Sequence, residues 1–138
     1  MRFIDSNVFI HAFLKPNRRL ERHEIEIKEG SKNIILRIEE GEEVLTTVVH
    51  MSEVANILEA RTSEDAREIL SATASLRNLN LRDVTGESYR TAIQTSELIN
   101  LGVNDTLAYN TMRETRIEEI YSFDKDFDGL PEIKRLTQ

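Results

Sequence analysis

RFIDSNVFIHAFL, residues 2–14, decides how the rest of the chain is read. Arg2, Phe3 and Ile4 make a short apolar strand, and Val8 to Leu14 carry the apolar content of a helix that Pro16 stops. Between them stands Asp5, followed by Ser6 and Asn7. A strand that passes directly into a helix is the opening of a β–α–β unit, so a parallel sheet is expected. A carboxylate at that joint lies just outside the carboxyl end of a strand, where open parallel sheets bind their ligands.

Outward from this joint the alternation repeats. NIILRIEEG (33–41) predicts a helix closed by Gly41. EVLTTVV (43–49) is rich in β-branched residues and predicts a strand. HMSEVANILEAR then puts Met51, Val54, Ala55 and Leu58 on one helical face. Thr62 and Asp65 have the spacing of a capping box that opens the next helix. LNLRDV (79–84) is a further strand, and GESYRTAIQTSELINLG is helical as far as Gly102. Asn104 is expected to cap DTLAYNTMRETR. IEEIYSF is the next strand, and EIKRL a short last one. The pattern predicts one α/β domain over residues 1–138, a mainly parallel β-sheet flanked by α-helices.

Hydrophobic residues make up 39% and charged residues 31%, a globular balance. No apolar run approaches the ~18 residues of a membrane span, and Asp5 and Asn7 interrupt the N-terminal apolar stretch, so neither a membrane anchor nor a signal peptide is expected. The absence of cysteine excludes a disulfide framework and a thiolate metal site, which makes the cytoplasm the expected location.

Four acids line up with the element ends. Asp5 follows the strand ending at Ile4, Glu53 lies just beyond the strand ending at Val49, and Asp124 follows the strand ending at Phe123. Asp105 falls in the first turn of the helix after Asn104. Singly, each has an ordinary explanation: a cap, a turn, a first-turn acid or a solvated helix residue. Jointly they select one edge of a parallel sheet. Two carboxylates ~4 Å apart repel by about 4 kcal/mol at an effective dielectric near 20, so such a cluster requires protons or a cation. An all-oxygen donor set suits Mg²⁺ or Mn²⁺. Such ions polarise a phosphodiester and activate water.

FIDSNVFI, SEVANIL, VNDTLAYNTM and YSFDKDF, in this order over nearly the whole chain, resemble the PIN domain, and most closely the VapC-type toxin ribonucleases. The resemblance implies Mg²⁺- or Mn²⁺-dependent hydrolysis of RNA, with Asp5, Glu53, Asp105 and Asp124 as catalytic acids and metal ligands. It makes Asp126 an auxiliary ligand and Ser122 a supporting residue. Asn7 would orient Asp5 or a metal-bound water. It also implies a homodimer, held inactive by an antitoxin segment in the cleft, or else an RNA-processing nuclease. A protein of another class fits as well: a catalytically weak PIN-like interaction module that keeps the site for folding or partner binding. The intact set of four acids favours the enzyme.

The charge balance, 25 acids against 18 bases, is unlike the basic footprint of a nucleic-acid binder. Gathering acids around a metal relieves part of that objection. Arg18, Arg19, Arg22, Lys28 and Lys32 also crowd into a charged helical segment, residues 17–43. That run is either a solvated helix face or a dock for RNA or a partner, with Arg18, Arg19 and Arg22 as the RNA-binding candidates. His11, His23 and His50 have no zinc-site spacing, and His11 is expected in the core.

Overall fold

The computed structural model describes residues 1–62 and 65–138. Its elements are β1 (Arg2–Ile4), α1 (Ser6–Phe13), α2 (Arg22–Glu39), β2 (Val44–Thr47), α3 (Val48–Thr62), α4 (Ala66–Ala74), β3 (Leu79–Arg82), α5 (Gly86–Ile99), α6 (Val103–Thr115), β4 (Glu119–Tyr121), a 3-10 turn (Lys125–Gly129) and β5 (Lys134–Leu136). The five strands pair in the order β3-β2-β1-β4-β5, and every pairing is parallel. The parallel α/β sheet expected from residues 2–14 is therefore present.

The chain steps outward from β1 through β2 to β3, then returns to lay β4 on the other side of β1. Crossovers of one hand require the helices to change face when the direction reverses. They do. Helices α1 to α4 cover one face, where Ile4, Val44 and Leu79 pack with Phe9, Ile34, Ile38, Val54 and Leu58. Helix α6 covers the other, where Phe3, Leu45 and Ile120 meet Ala108 and Met112. Helix α5 packs on α6. The reversal leaves a switch point between the carboxyl ends of β1 and β4, where such sheets form a crevice.

Several boundaries differ from the sequence expectation. The strand expected over 43–49 ends at Thr47, and Val48 and Val49 open α3 instead. Their β-branched side chains cost a helix only a few tenths of a kcal/mol. Against that, Thr47 Oγ1 accepts the His50 amide at 3.2 Å, as a cap residue does. The strand expected over 79–84 ends at Arg82, and the one expected to reach Phe123 ends at Tyr121. Asn104 is not a cap: α6 begins at Val103, with Gly102 in the cap position. Helix α2 begins at Arg22, well before Asn33, behind a capping box of Glu21 and Glu24. Gly41, at φ +125°, closes it as expected. His11 is exposed rather than buried, with its ring edge-on to Phe123 at 5.5 Å. The capping box expected of Thr62 and Asp65 rests on the Thr62 side chain, which is not described; α4 begins at Ala66 with Asp65 in the cap position.

Helix α2 also extends past the sheet. Gly30 lies against Phe123 and Thr137, which follow the carboxyl ends of β4 and β5. The residues before it, 22–29, therefore reach up to ~12 Å further along the helix. No helix among the described residues is long and apolar enough to cross a membrane.

Candidate metal centre

Asp5 is set by the β1–α1 joint. Its Oδ1 accepts the Ser6 amide at 2.8 Å, capping α1, and its Oδ2 accepts the Ser122 hydroxyl at 2.7 Å. It is only 4% exposed. Burial raises its pKa above the ordinary carboxylate value, the Ser122 and Ser6 donors oppose that rise, and the charge on Asp124 adds to it.

Ser122 is the hub of the β4 side. Its hydroxyl donates to Asp5, accepts the Asp124 amide at 3.0 Å and lies 3.4 Å from Asn7 Nδ2. One donor and two acceptor sites are all that a hydroxyl has, and all three are used. Asn7 Oδ1 in turn accepts the Phe123 amide at 3.2 Å. Asn7 thus clamps the segment leaving β4 and reaches Asp5 through Ser122. Arg135 braces the same segment from β5. It donates to the Ser122 carbonyl at 3.2 Å and holds both Asp128 oxygens, at 2.8 and 3.1 Å.

Carboxylate oxygens of Asp105, Asp124 and Asp126 all lie within 4.8 Å of one another. Asp124 Oδ1 accepts the Asp126 amide at 2.9 Å, which curls the loop so that both acids face Asp105. Glu53 belongs to the Asp5 side: the Ser6 hydroxyl lies 3.3 Å from its Oε1 and 3.4 Å from Asp5 Oδ1. The Asp105 carboxyl is pushed up to about 7, first by burial, then by the charges on Asp5 and Asp124, contact with the Asp124 carboxyl and the Glu53 charge. Asp105 therefore feels the charge of each of the other three acids. An all-oxygen set of this kind, short of positive charge, fits a hard divalent cation.

The helix carrying Asp105 is anchored by residues that sequence reading did not single out. His50 Nε2 lies 3.1 Å from the Asn104 carbonyl, which only accepts, so Nε2 carries the proton. His50 Nδ1 then accepts the Thr47 hydroxyl at 2.7 Å. Burial pushes the imidazole down to about 4, which keeps it neutral in this role. Tyr89 donates to Asn104 Oδ1 at 2.7 Å. The usable signal was T-x-x-H at 47–50, a cap pattern at a strand end. In the basic run, Arg18 pairs with Glu24 at 2.6 Å, and Arg22 lies 3.6 Å from Glu26.

A family model described as the PIN domain matches residues 2–133. The chain belongs to the PIN-domain family. Solved structures with the same fold as this PIN domain include VapC20 of Mycobacterium tuberculosis, described as a sarcin–ricin loop cleaving toxin. It has a TM-score of 0.71 and 19% identity, covering 97% of this chain and 99% of that one. A toxin–antitoxin complex from Klebsiella pneumoniae follows at TM-score 0.65 and 14% identity, with 97% and 96% covered. VapBC2 from Rickettsia felis, bound to a promoter DNA fragment, gives 0.65 and 13%, with 98% and 96% covered. No curated protein matches the sequence.

Proposed function

We propose that this PIN domain is a divalent-metal-dependent endoribonuclease, with Asp5, Glu53, Asp105 and Asp124 as catalytic acids and ligands of Mg²⁺ or Mn²⁺. The observation that carries this reading is the convergence of carboxylates at the β1/β4 switch point, with Asp105, Asp124 and Asp126 oxygens within 4.8 Å. When bound, Mg²⁺ or Mn²⁺ supplies a Lewis acid for phosphoryl oxygens and lowers the pKa of its water. Asp126 is the auxiliary ligand. Ser6 and Ser122 hold Asp5 oriented, and Asn7 fixes Ser122. Burial and the neighbouring carboxylates raise the proton affinity of Asp105 in the metal-free centre, and a cation bound there would relieve that repulsion.

RNA as substrate is supported by family membership and by the sarcin–ricin loop activity given for VapC20. The toxin–antitoxin neighbours support an antitoxin protein as partner and a toxin role; a homodimeric assembly and a cytoplasmic setting belong to the same proposal. The overhanging start of α2, within the 17–43 segment, is the docking wall for RNA or partner. Arg18 is already held by both Glu24 oxygens, and this favours a partner there.

The test is cleavage of single-stranded and loop RNA by the purified protein, with Mg²⁺, with Mn²⁺ and with excess EDTA. Cleavage that needs either metal and is lost in Asp105→Asn is expected. Undiminished cleavage in EDTA overturns the metal dependence. No cleavage of any RNA by metal-loaded, partner-free protein overturns the enzyme in favour of the interaction module.

A further inference from the structure

Glu53 marks one edge of the acidic centre. Beyond it, along the carboxyl edge over β2 and β3, lies a shallow cleft of about 420 Å³. The first turns of α3 form one side of it, through Val49, Ser52, Glu53 and Asn56. The β3–α5 loop at Val84–Gly86, with Tyr89 and Asn104, forms the other. Its chemistry differs from that of the centre. Glu53 is its one charged residue, and it contains no lysine or arginine. The Arg90 guanidinium lies beside Gly86 at the rim, and apart from Glu53 the lining is neutral, so neutral polar groups find most of their partners here.

The hydrogen-bonding groups in the cleft are available. Tyr89 donates to Asn104 Oδ1, which fixes the orientation of that amide and leaves its Nδ2 as a free donor among the described residues. The Asn104 backbone is pinned from below by His50, so this donor is held still. Ser52 and Asn56 are exposed and make no side-chain hydrogen bond among the described residues. Val49 and Val84 give the cleft apolar surface beside these groups. Unstacked bases of single-stranded RNA are held in this way, by apolar or aromatic surface against the ring and hydrogen bonds to its edge.

We propose that this cleft is a nucleobase subsite: it takes the base of a nucleotide flanking the bond that is cut, with Asn56, Asn104 and Ser52 reading its edge. This deepens the ribonuclease reading above and rests on it. Glu53 borders both the cleft and the acid cluster, so a base seated here places its own phosphate toward the acids. The subsite makes cleavage base-selective at one position, in a protein whose net charge of −7 gives little general attraction to RNA.

The test is cleavage of a randomised RNA pool with Mn²⁺, with the new ends sequenced, for wild type and for the double variant Ser52→Ala with Asn56→Ala. Wild type is expected to favour one base at a fixed position beside the cut. The double variant is expected to lower that preference at least fivefold, in the ratio of favoured to disfavoured base. A wild type that cuts without positional bias, or a bias the double variant leaves intact, overturns the subsite and leaves the ribonuclease standing. If the pool is not cut, the ribonuclease falls. Titration of the four uncharged nucleosides into ¹⁵N-labelled protein then decides the cleft alone. Shifts at residues 49–56, 84–89 and 104 that vanish in the double variant support it, and their absence removes it.

Discussion

Asp105 and His50 meet through the Asn104 carbonyl and respond to acid with opposite signs. Asp105 holds its proton up to about 7 in the fold but only to about 3.8 when unfolded, so stability without metal falls as pH rises across that window. After allowance for partial exposure this costs about 1–3 kcal/mol above pH 7. Asp105→Asn is therefore expected to be more stable than metal-free wild type at pH 8 and equal to it near pH 4, by urea titration. Mg²⁺ is expected to raise the wild-type Tm by mass action and to raise that of the variant less. An apo variant less stable at pH 8 removes Asp105 from the cluster. His50 works the other way: its folded value is near 4 against 6.5 unfolded, so stability is lost as pH falls from 6.5 toward 4. The two slopes offset each other in wild type. His50→Gln is expected to leave a protein whose stability rises on acidification. Asp105→Asn should instead leave one whose stability falls, by about 3 kcal/mol over the window.

Helix α2 meets the carboxyl edge of the sheet at Gly30. A methyl group there would stand 2.4 Å from the Thr137 carbonyl oxygen, a backbone atom that moves only with the chain, with the Phe123 ring at 3.7 Å. Gly30→Ala is expected to lift the C-terminal end off α2 and to cost about 1–3 kcal/mol. In a chain shortened by Thr137 and Gln138 the obstacle is gone. The same substitution should then be neutral or stabilising by up to ~1 kcal/mol, since alanine suits a helix interior better than glycine. This double-mutant cycle has its own control. Equal cost in both backgrounds would place the strain elsewhere.

Across the whole molecule the acids outnumber the bases, and the bases of the 17–43 segment are interleaved with glutamates. Acids converge at the switch point, and the bases of the 17–43 segment stand on or before an α2 that extends past the same edge. If Arg18, Arg19 and Arg22 all track phosphates, changing the three to Ala is expected to lower the slope of log affinity against log salt by about 2, at ~0.7 per single-strand contact. The Glu24 partner of Arg18 predicts a smaller change, closer to the ~1.4 of Arg19 and Arg22. A slope unchanged by the triple substitution leaves the overhang to a protein partner. Fluorescence anisotropy with a short RNA and the Asp105→Asn background, which is expected to block cutting, reads the slope directly.

The sequence by itself determined the class of fold and the positions of the acids along it. Asp5 after an apolar triplet, Glu53 after a β-branched run and Asp124 after YSF are local facts, because a strand end and the residue beyond it are adjacent in the chain. What only the tertiary structure decided is which of these ends are neighbours. The order β3-β2-β1-β4-β5 puts β4 beside β1, so Ser122 can bridge Asp5 to the Asp124 amide across a sequence separation of 117 residues. Side-chain hydrogen bonding also decided boundaries that propensity read wrongly. Val48 and Val49 favour a strand on their own, yet the Thr47–His50 bonds start a helix there, and His50 carries that joint over to Asn104. Propensity differences of a few tenths of a kcal/mol are local and small. A buried hydrogen bond left unmade costs about 1–3 kcal/mol, and its partners are known only once the chain has folded.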